Sequence, residues 1–385
     1  MKNIILISLL GMTYLLTGQT LYVPGIASED HTISWYEEQY LIWKKKTEDN
    51  PKDEEAWLNR YYCVRDIMVK HQWQDQPSLL RAEKEREMLL QAVPNTFTYY
   101  FIKAQDGEHK EESLNNYKKA YALNPDFEYI YSDLVVGYEV TEHSPKHRVE
   151  INKKWLNSGN YSPGVLNNGY NFLVSLKPNA VIVTQGDNDT FPLWMLQDTK
   201  GIRTDVTVIN QHLICVSNYT KMMFEKLNIP FSKKIKKMVE SDVGGIGSER
   251  REKVMDTIMN AIISQKKYPV YFTNGNYNYL KEVENNLYMV GIVSEYSRTP
   301  IDRISAIQKS FEQEYKLNFL TETFYSEPSP KIVNSLKRNY IPSMLLLRTH
   351  YLTIGDQTKA DKLENTILKI AKGSPNEEKI KKLLK

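Results

Sequence analysis

Two short β-branched runs fix the centre of this chain. N-A-V-I-V-T closes at Thr184 and V-T-V-I-N runs from Val206 to Asn210, with room for one short helix between them. A continuous apolar β-branched run marks a strand buried on both faces, which is where parallel strands sit. The intervening T-F-P-L-W-M-L-Q-D-T suits the helix. Asp189 or Thr190 would cap it, Pro192 would fall in its first turn where a missing N–H costs nothing, and Gly201 would end it. The spacing predicts a βαβ unit with a right-handed crossover. Tyr268 to Asn274 reads as a third strand, after a helix near Arg251 to Gln265, and Leu287 to Tyr296 as a fourth.

On either side the pattern turns helical. W-Y-E-E-Q-Y-L-I-W-K-K-K-T-E-D-N-P, L-L-Q-A-V-P-N and Y-K-K-A-Y-A-L-N-P each join an amphipathic helix to a proline-marked stop, and an aromatic-rich helix follows. Pro51, Pro94 and Pro125 are unevenly spaced but bracket the period of about 34 of tetratricopeptide repeats. A second hairpin turns at Ile354-Gly355-Asp356. The expected fold class is α/β plus all-α: a small, mostly parallel sheet layer flanked by N- and C-terminal tetratricopeptide-like helical repeats. The expected domains are a signal peptide (1–27), helical repeats (30–175), an α/β domain (177–325) and a C-terminal helical hairpin (330–385).

The N-terminus bears on location. Lys2 precedes an apolar run from Ile4 to Leu16, short for a membrane span but right for a signal-peptide core. The chain is therefore expected to be exported, to the periplasm, with an uncleaved N-terminal anchor as the alternative. Its 385 residues carry 50 basic and 47 acidic side chains, so bulk charge gives no reason to expect nucleic acid. For the short run Lys233-Lys234-Ile235-Lys236-Lys237, a solvated helix face explains the lysines better than a phosphate track. Cys63 and Cys215, far apart in sequence, are read as two buried free thiols, with a disulfide as the alternative in an exported protein, and do not resemble a zinc site.

Ligands in open α/β sheets gather beyond the carboxyl ends of the strands. The first predicted strand delivers Gln185, Asp187, Asn188 and Asp189 there, the second Asn210 and His212, and the third Asn274. Should the strands be parallel neighbours, these groups converge. Asp187 and Asp189 would then be the ligands of a divalent cation, the one cofactor this turn suggests, because hard cations take several oxygens. Asp and Asn are also ordinary turn and cap residues, so an architectural turn or a carbohydrate contact stays open. Gly244-Gly245-Ile246-Gly247-Ser248 lacks the spacing and lysine of a phosphate-binding loop.

The longer run T-Q-G-D-N-D-T-F-P-L-W-M-L-Q-D-T-K-G-I-R-T-D-V-T-V-I-N is more specific than its parts. It resembles the soluble C-terminal region of a bacterial protein-O-mannosyltransferase-like family of membrane proteins, a domain of unknown function. P-V-Y-F-T-N, L-Y-M-V-G-I-V and the closing R-N-Y recur in the same order, so the resemblance spans about Lys177 to Ala371. A signal-like segment and helical repeats stand where that family has its transmembrane part. The resemblance therefore implies an exported module accompanying cell-envelope glycosylation and does not carry transferase activity over. The expected function is a non-catalytic interaction or ligand-binding protein. Its partners would be a protein or a glycan, with peripheral membrane or envelope association. The rival is a metal-dependent enzyme acting on carbohydrate or phosphate.

Overall fold

The computed structural model describes residues 23, 31–105, 111–142, 145–241, 243, 248–273, 280–322, 324 and 326–385. Apart from Val23, the expected signal segment lies outside the described residues, as do the glycine loop at 244–247 and Asn274. The chain parts into two compact units, Met1–Ala92 and Val93–Lys385.

The first unit is built from three helices, α1 (Ile33–Asp49), α2 (Glu54–Lys70) and α3 (Gln76–Ala92). Asp53 starts α2 by accepting from the Ala56 amide at 2.9 Å, satisfying one of the donors that a helix N-terminus leaves open. α2 is the central helix, and Ala56 to Val64 are all buried. Its buried Arg60 donates to Thr47 of α1 at 2.7 Å and to Glu85 of α3 at 3.1 Å, while the Tyr40 hydroxyl donates to the same Glu85 at 2.7 Å. One guanidinium thus ties all three helices, and removing it would strand a buried carboxylate at a cost of about 3–5 kcal/mol. Cys63 is buried here as a free thiol, and burial pushes its pKa up.

The second unit opens with α4 (Phe97–Ala104), α5 (Glu111–Leu123), α6 (Tyr129–Gly137) running into a π-helical turn (Tyr138–Glu142), α7 (Pro145–Asn157) and α8 (Pro163–Val174). β1 (Val181–Thr184), α9 (Asp187–Lys200), β2 (Thr207–Asn210), α10 (Ser217–Lys226), α11 (Lys233–Glu240), α12 (Glu249–Ile263) and β3 (Val270–Thr273) follow. Then come α13 (Lys281–Glu284), β4 (Leu287–Met289), β5 (Val293–Tyr296) and α14 (Arg303–Lys309). α15 (Pro330–Arg338), α16 (Ile341–Thr353), α17 (Gln357–Ala371) and α18 (Glu377–Leu383) close the chain. Gly355, at φ 79°, makes the turn between α16 and α17. Among the described residues no helix is long and apolar enough to cross a membrane.

The five strands form one sheet in the order β2-β1-β3-β5-β4. β1 lies between β2 and β3, parallel to both, with Val181 opposite Thr207 on one side and Val270 on the other. All four residues of β1, β2 and β3 are buried, as the β-branched runs require. The expected mostly parallel sheet is corrected here: the sheet is mixed, because β5 runs antiparallel to β3 and β4 antiparallel to β5. Gly291 makes the reversal between β4 and β5. At φ 143° it adopts a backbone that side-chain-bearing residues rarely reach, so the run from Leu287 to Tyr296 folds back as a hairpin instead of extending as one strand.

The G-I-R-T-D-V segment explains how the crossover is fixed. Gly201 ends α9 at φ 66°. Arg203 then donates to the carbonyls of Leu173 and Leu176 at 2.8 and 2.7 Å, filling acceptors at the end of α8. Asp205 holds that guanidinium at 2.8 and 2.9 Å and accepts from the Asn179 amide at 2.7 Å. The arginine beside Asp205 holds its carboxyl down at about 2.

Candidate functional site

The carboxyl ends of β1, β2 and β3 do lie side by side, and their polar residues form two groups with different fates. The first is an internal web. Thr184, the last residue of β1, shares a 2.6 Å hydrogen bond with Thr190 of α9. Asn210, the last residue of β2, donates its amide to the same Thr190 hydroxyl at 2.9 Å. Its carbonyl oxygen accepts from the His212 and Leu213 amides at 2.8 and 3.3 Å. Thr273, the last residue of β3, donates to the Asp189 carboxylate at 2.8 Å, and the Gln185 amide adds a longer contact at 3.4 Å. Burial pushes the Asp189 carboxyl up, and these two donors pull it part of the way back. Asp189 and Asn210 thereby clamp the head of α9 to all three strands.

The second group faces outward. α9 starts at Asp187, earlier than the sequence suggests, with Gly186 at the cap and no side-chain cap. Thr190 does not cap the helix; its hydroxyl donates to the Gly186 carbonyl at 2.8 Å. Pro192 accordingly falls beyond the first turn and withholds the N–H that would have bonded the Asn188 carbonyl. Asp187 and Asn188 are exposed. Although solvent reaches Asp187, the protein around it desolvates its carboxyl and pushes the pKa up. Among the described residues its carboxylate has no hydrogen-bond or ion-pair partner.

The aromatic neighbours of Asp187 come from the segments before the sheet. Ser162 caps α8 by accepting from Val165 at 3.0 Å, and Pro163 opens that helix, which fixes Tyr161 at its entrance. Burial pushes the Tyr161 phenol up, and the Asp187 charge pushes it further. Trp155 of α7 packs edge-on against Tyr161, with ring centres 4.9 Å apart, and against Phe191 of α9 at 5.6 Å. Arg148 holds α7 in place by donating to both oxygens of Asp198 on α9 at 2.9 and 2.8 Å, with Asn152 on the same carboxylate at 2.7 Å. Both Tyr161 and Trp155 remain half-exposed. A sequence signal for them existed in the Ser162-Pro163 helix start, which places the preceding tyrosine at a helix mouth.

The remaining expected residues lie elsewhere. Gln185 is half-buried beside Asp189. His212 is half-buried next to Arg251, which donates to its carbonyl at 2.9 Å; burial first and Arg251 second push the imidazole pKa down. Cys215, buried and free, follows in the same turn. As for a cation, Asp187 and Asp189 are two residues apart on a helix and so point about 200° from each other. Among the described residues no group of three or more His, Cys, Asp or Glu side chains is placed to hold a metal ion.

With this geometry in place, the comparison with known families is informative. Residues 165–346 match the TMEM260-associated domain 2 family. That family is linked to TMEM260, a protein O-mannosyltransferase-like protein. The TMEM260-associated span contains the whole sheet, the internal web and Asp187, and it begins just after Tyr161. No curated protein matches the chain.

Proposed function

We propose that this chain is an exported, non-catalytic ligand-binding protein of the cell envelope, associated with its glycosylation. Its binding centre is the recess of Asp187, Asn188, Tyr161 and Trp155. One observation carries the reading: Asp187 is a desolvated yet solvent-reachable carboxylate without a partner among the described residues, beside half-exposed aromatic rings, whereas Asp189 and Asn210 are consumed in holding the helix head. A carboxylate, an amide and an aromatic face are the groups that hold a sugar, taking its hydroxyls and its C–H face respectively. The TMEM260 link gives a glycan precedence over other hydroxyl-rich ligands. The N-terminal apolar run in the sequence supports export.

Isothermal titration of the purified chain with a panel of neutral and amino-sugar oligosaccharides tests the reading. Binding by the native chain and its loss in Asp187→Asn and Tyr161→Ala is the expected result. Binding that survives both substitutions would remove the recess from consideration.

A further inference from the structure

A second surface lies on α11. Between Ser217 and Ser241 the chain carries six lysines against two glutamates, a local excess of four that exceeds the +3 of the entire sequence. Four of the six fall in the first five residues of α11. Ile235 and Val239 are buried and anchor the helix, and Ser232 caps it by accepting from Ile235 at 3.3 Å. Lys233, Lys234, Lys236 and Lys237 are therefore all exposed on a helix whose apolar side is already occupied.

The lysines are poorly neutralised. Lys236 reaches Glu240 at 3.8 Å and Lys221 reaches Glu225 at 3.9 Å, both across exposed helix faces where such pairs contribute little. Lys233, Lys234 and Lys237 make no ion pair with any described residue. Lys233, Lys236 and Lys237 also share one open recess of about 390 Å³ with Glu240 and Ser241. Three lysines border this shallow hollow together with the single carboxylate of Glu240, and with Lys234 beside them they leave a net positive face that attracts an extended anionic surface.

We infer that α11 is a docking surface for an anionic lipid bilayer, its recess taking a phosphate-bearing headgroup. Charge complementarity is the ground. An eight-residue helix spans only about 12 Å, too short to follow a nucleic-acid backbone through several phosphates, and the patch exposes no aromatic platform for bases. A bilayer presents charge to every lysine at once, wherever each points within the patch. Each lysine near such a surface strengthens binding about fivefold, and the effect fades beyond a Debye length. Because the apolar face of α11 packs inward, contact is electrostatic and superficial, without insertion.

Co-sedimentation of the full chain with phosphatidylcholine vesicles, with and without about a third phosphatidylglycerol, tests the inference. The leading apolar run contributes to both compositions, so the difference between them reads the patch. The expected result is preferential binding to the anionic vesicles that falls about a hundredfold in Lys233→Gln/Lys236→Gln/Lys237→Gln and disappears at high salt. Lys233→Arg/Lys236→Arg/Lys237→Arg keeps the charge and should bind like the native chain, and circular dichroism checks that each variant is folded. Equal binding to both vesicles overturns the inference, as does an unchanged glutamine variant. Capture of inorganic phosphate or duplex DNA without vesicle binding overturns it as well.

Discussion

The Thr273 hydroxyl at the end of β3 donates to the Asp189 carboxylate in the first turn of α9 at 2.8 Å. This side-chain bond joins β3 to the helix that follows its neighbour β1. A hydrogen bond to a charged group of this kind contributes about 1.5–3 kcal/mol. Thr273→Val, nearly equal in shape, should lower stability at neutral pH by that amount in urea denaturation. The loss should shrink in acid, where Asp189 is protonated in both variants.

Asp187 should behave in the opposite sense. Its carboxyl is raised by desolvation, with no donor among the described residues to stabilise the charge. The folded state therefore binds its proton more tightly than the unfolded state, and stability falls as pH rises from the unfolded value through the raised folded one. Asp187→Asn removes that term. Thermal melts at pH 7 should show the variant as stable as the native chain or more so, while glycan binding is lost. A clear drop in melting temperature would show that the carboxylate supports the fold.

Asp205 supplies the reverse pH dependence. Arg203 holds its carboxyl at about 2, below the unfolded value, so its contribution is present above about pH 4 and disappears as pH falls towards 2. Asp205→Asn should destabilise the chain at pH 7 and flatten the decline of melting temperature between about pH 4 and 2. An unchanged acid limb in that variant would mean that other carboxylates set it.

Cation addition is a further check on the head of α9. With Asp187 and Asp189 directed to different sides of a helix, Mg²⁺, Mn²⁺ and Ca²⁺ should leave the melting temperature unchanged. A native-state ligand raises stability by mass action, so a rise that saturates with concentration and vanishes in Asp187→Asn would restore a metal-dependent reading.

The sheet's parallel half was legible because V-I-V-T, V-T-V-I-N and Y-P-V-Y-F-T-N have a composition that only a buried strand accommodates, and Gly201 sits where a helix must turn left-handed. The hairpin was not, because the apolar pattern is continuous through Gly291 and only the φ of that residue reveals the reversal. The start of α9 was misplaced for a tertiary reason. Asp189 and Thr190 look like caps in isolation, but Thr273 and Asn210, distant in sequence, claim their side chains. Of the expected site residues Asp187 and Asn188 stay exposed, whereas Tyr161 and Trp155 escaped notice because they come from the segments before the sheet.

Gly169 of α8 lies so close to Pro192 of α9 that a Cβ there would come within 2.6 Å of the proline Cβ. Gly169→Ala should therefore cost about 1–3 kcal/mol in a thermal or urea melt, since neither backbone can give way easily.

The same contact bears on the binding proposed around Asp187. Two helices locked backbone to ring cannot slide, so Tyr161 at the mouth of one and Asp187 at the head of the other keep a fixed separation whether or not a ligand is bound. Recognition then costs little in loop ordering. A ligand held between them, as proposed, would have to match that separation, so the pair would select by size in the manner of a rigid gauge.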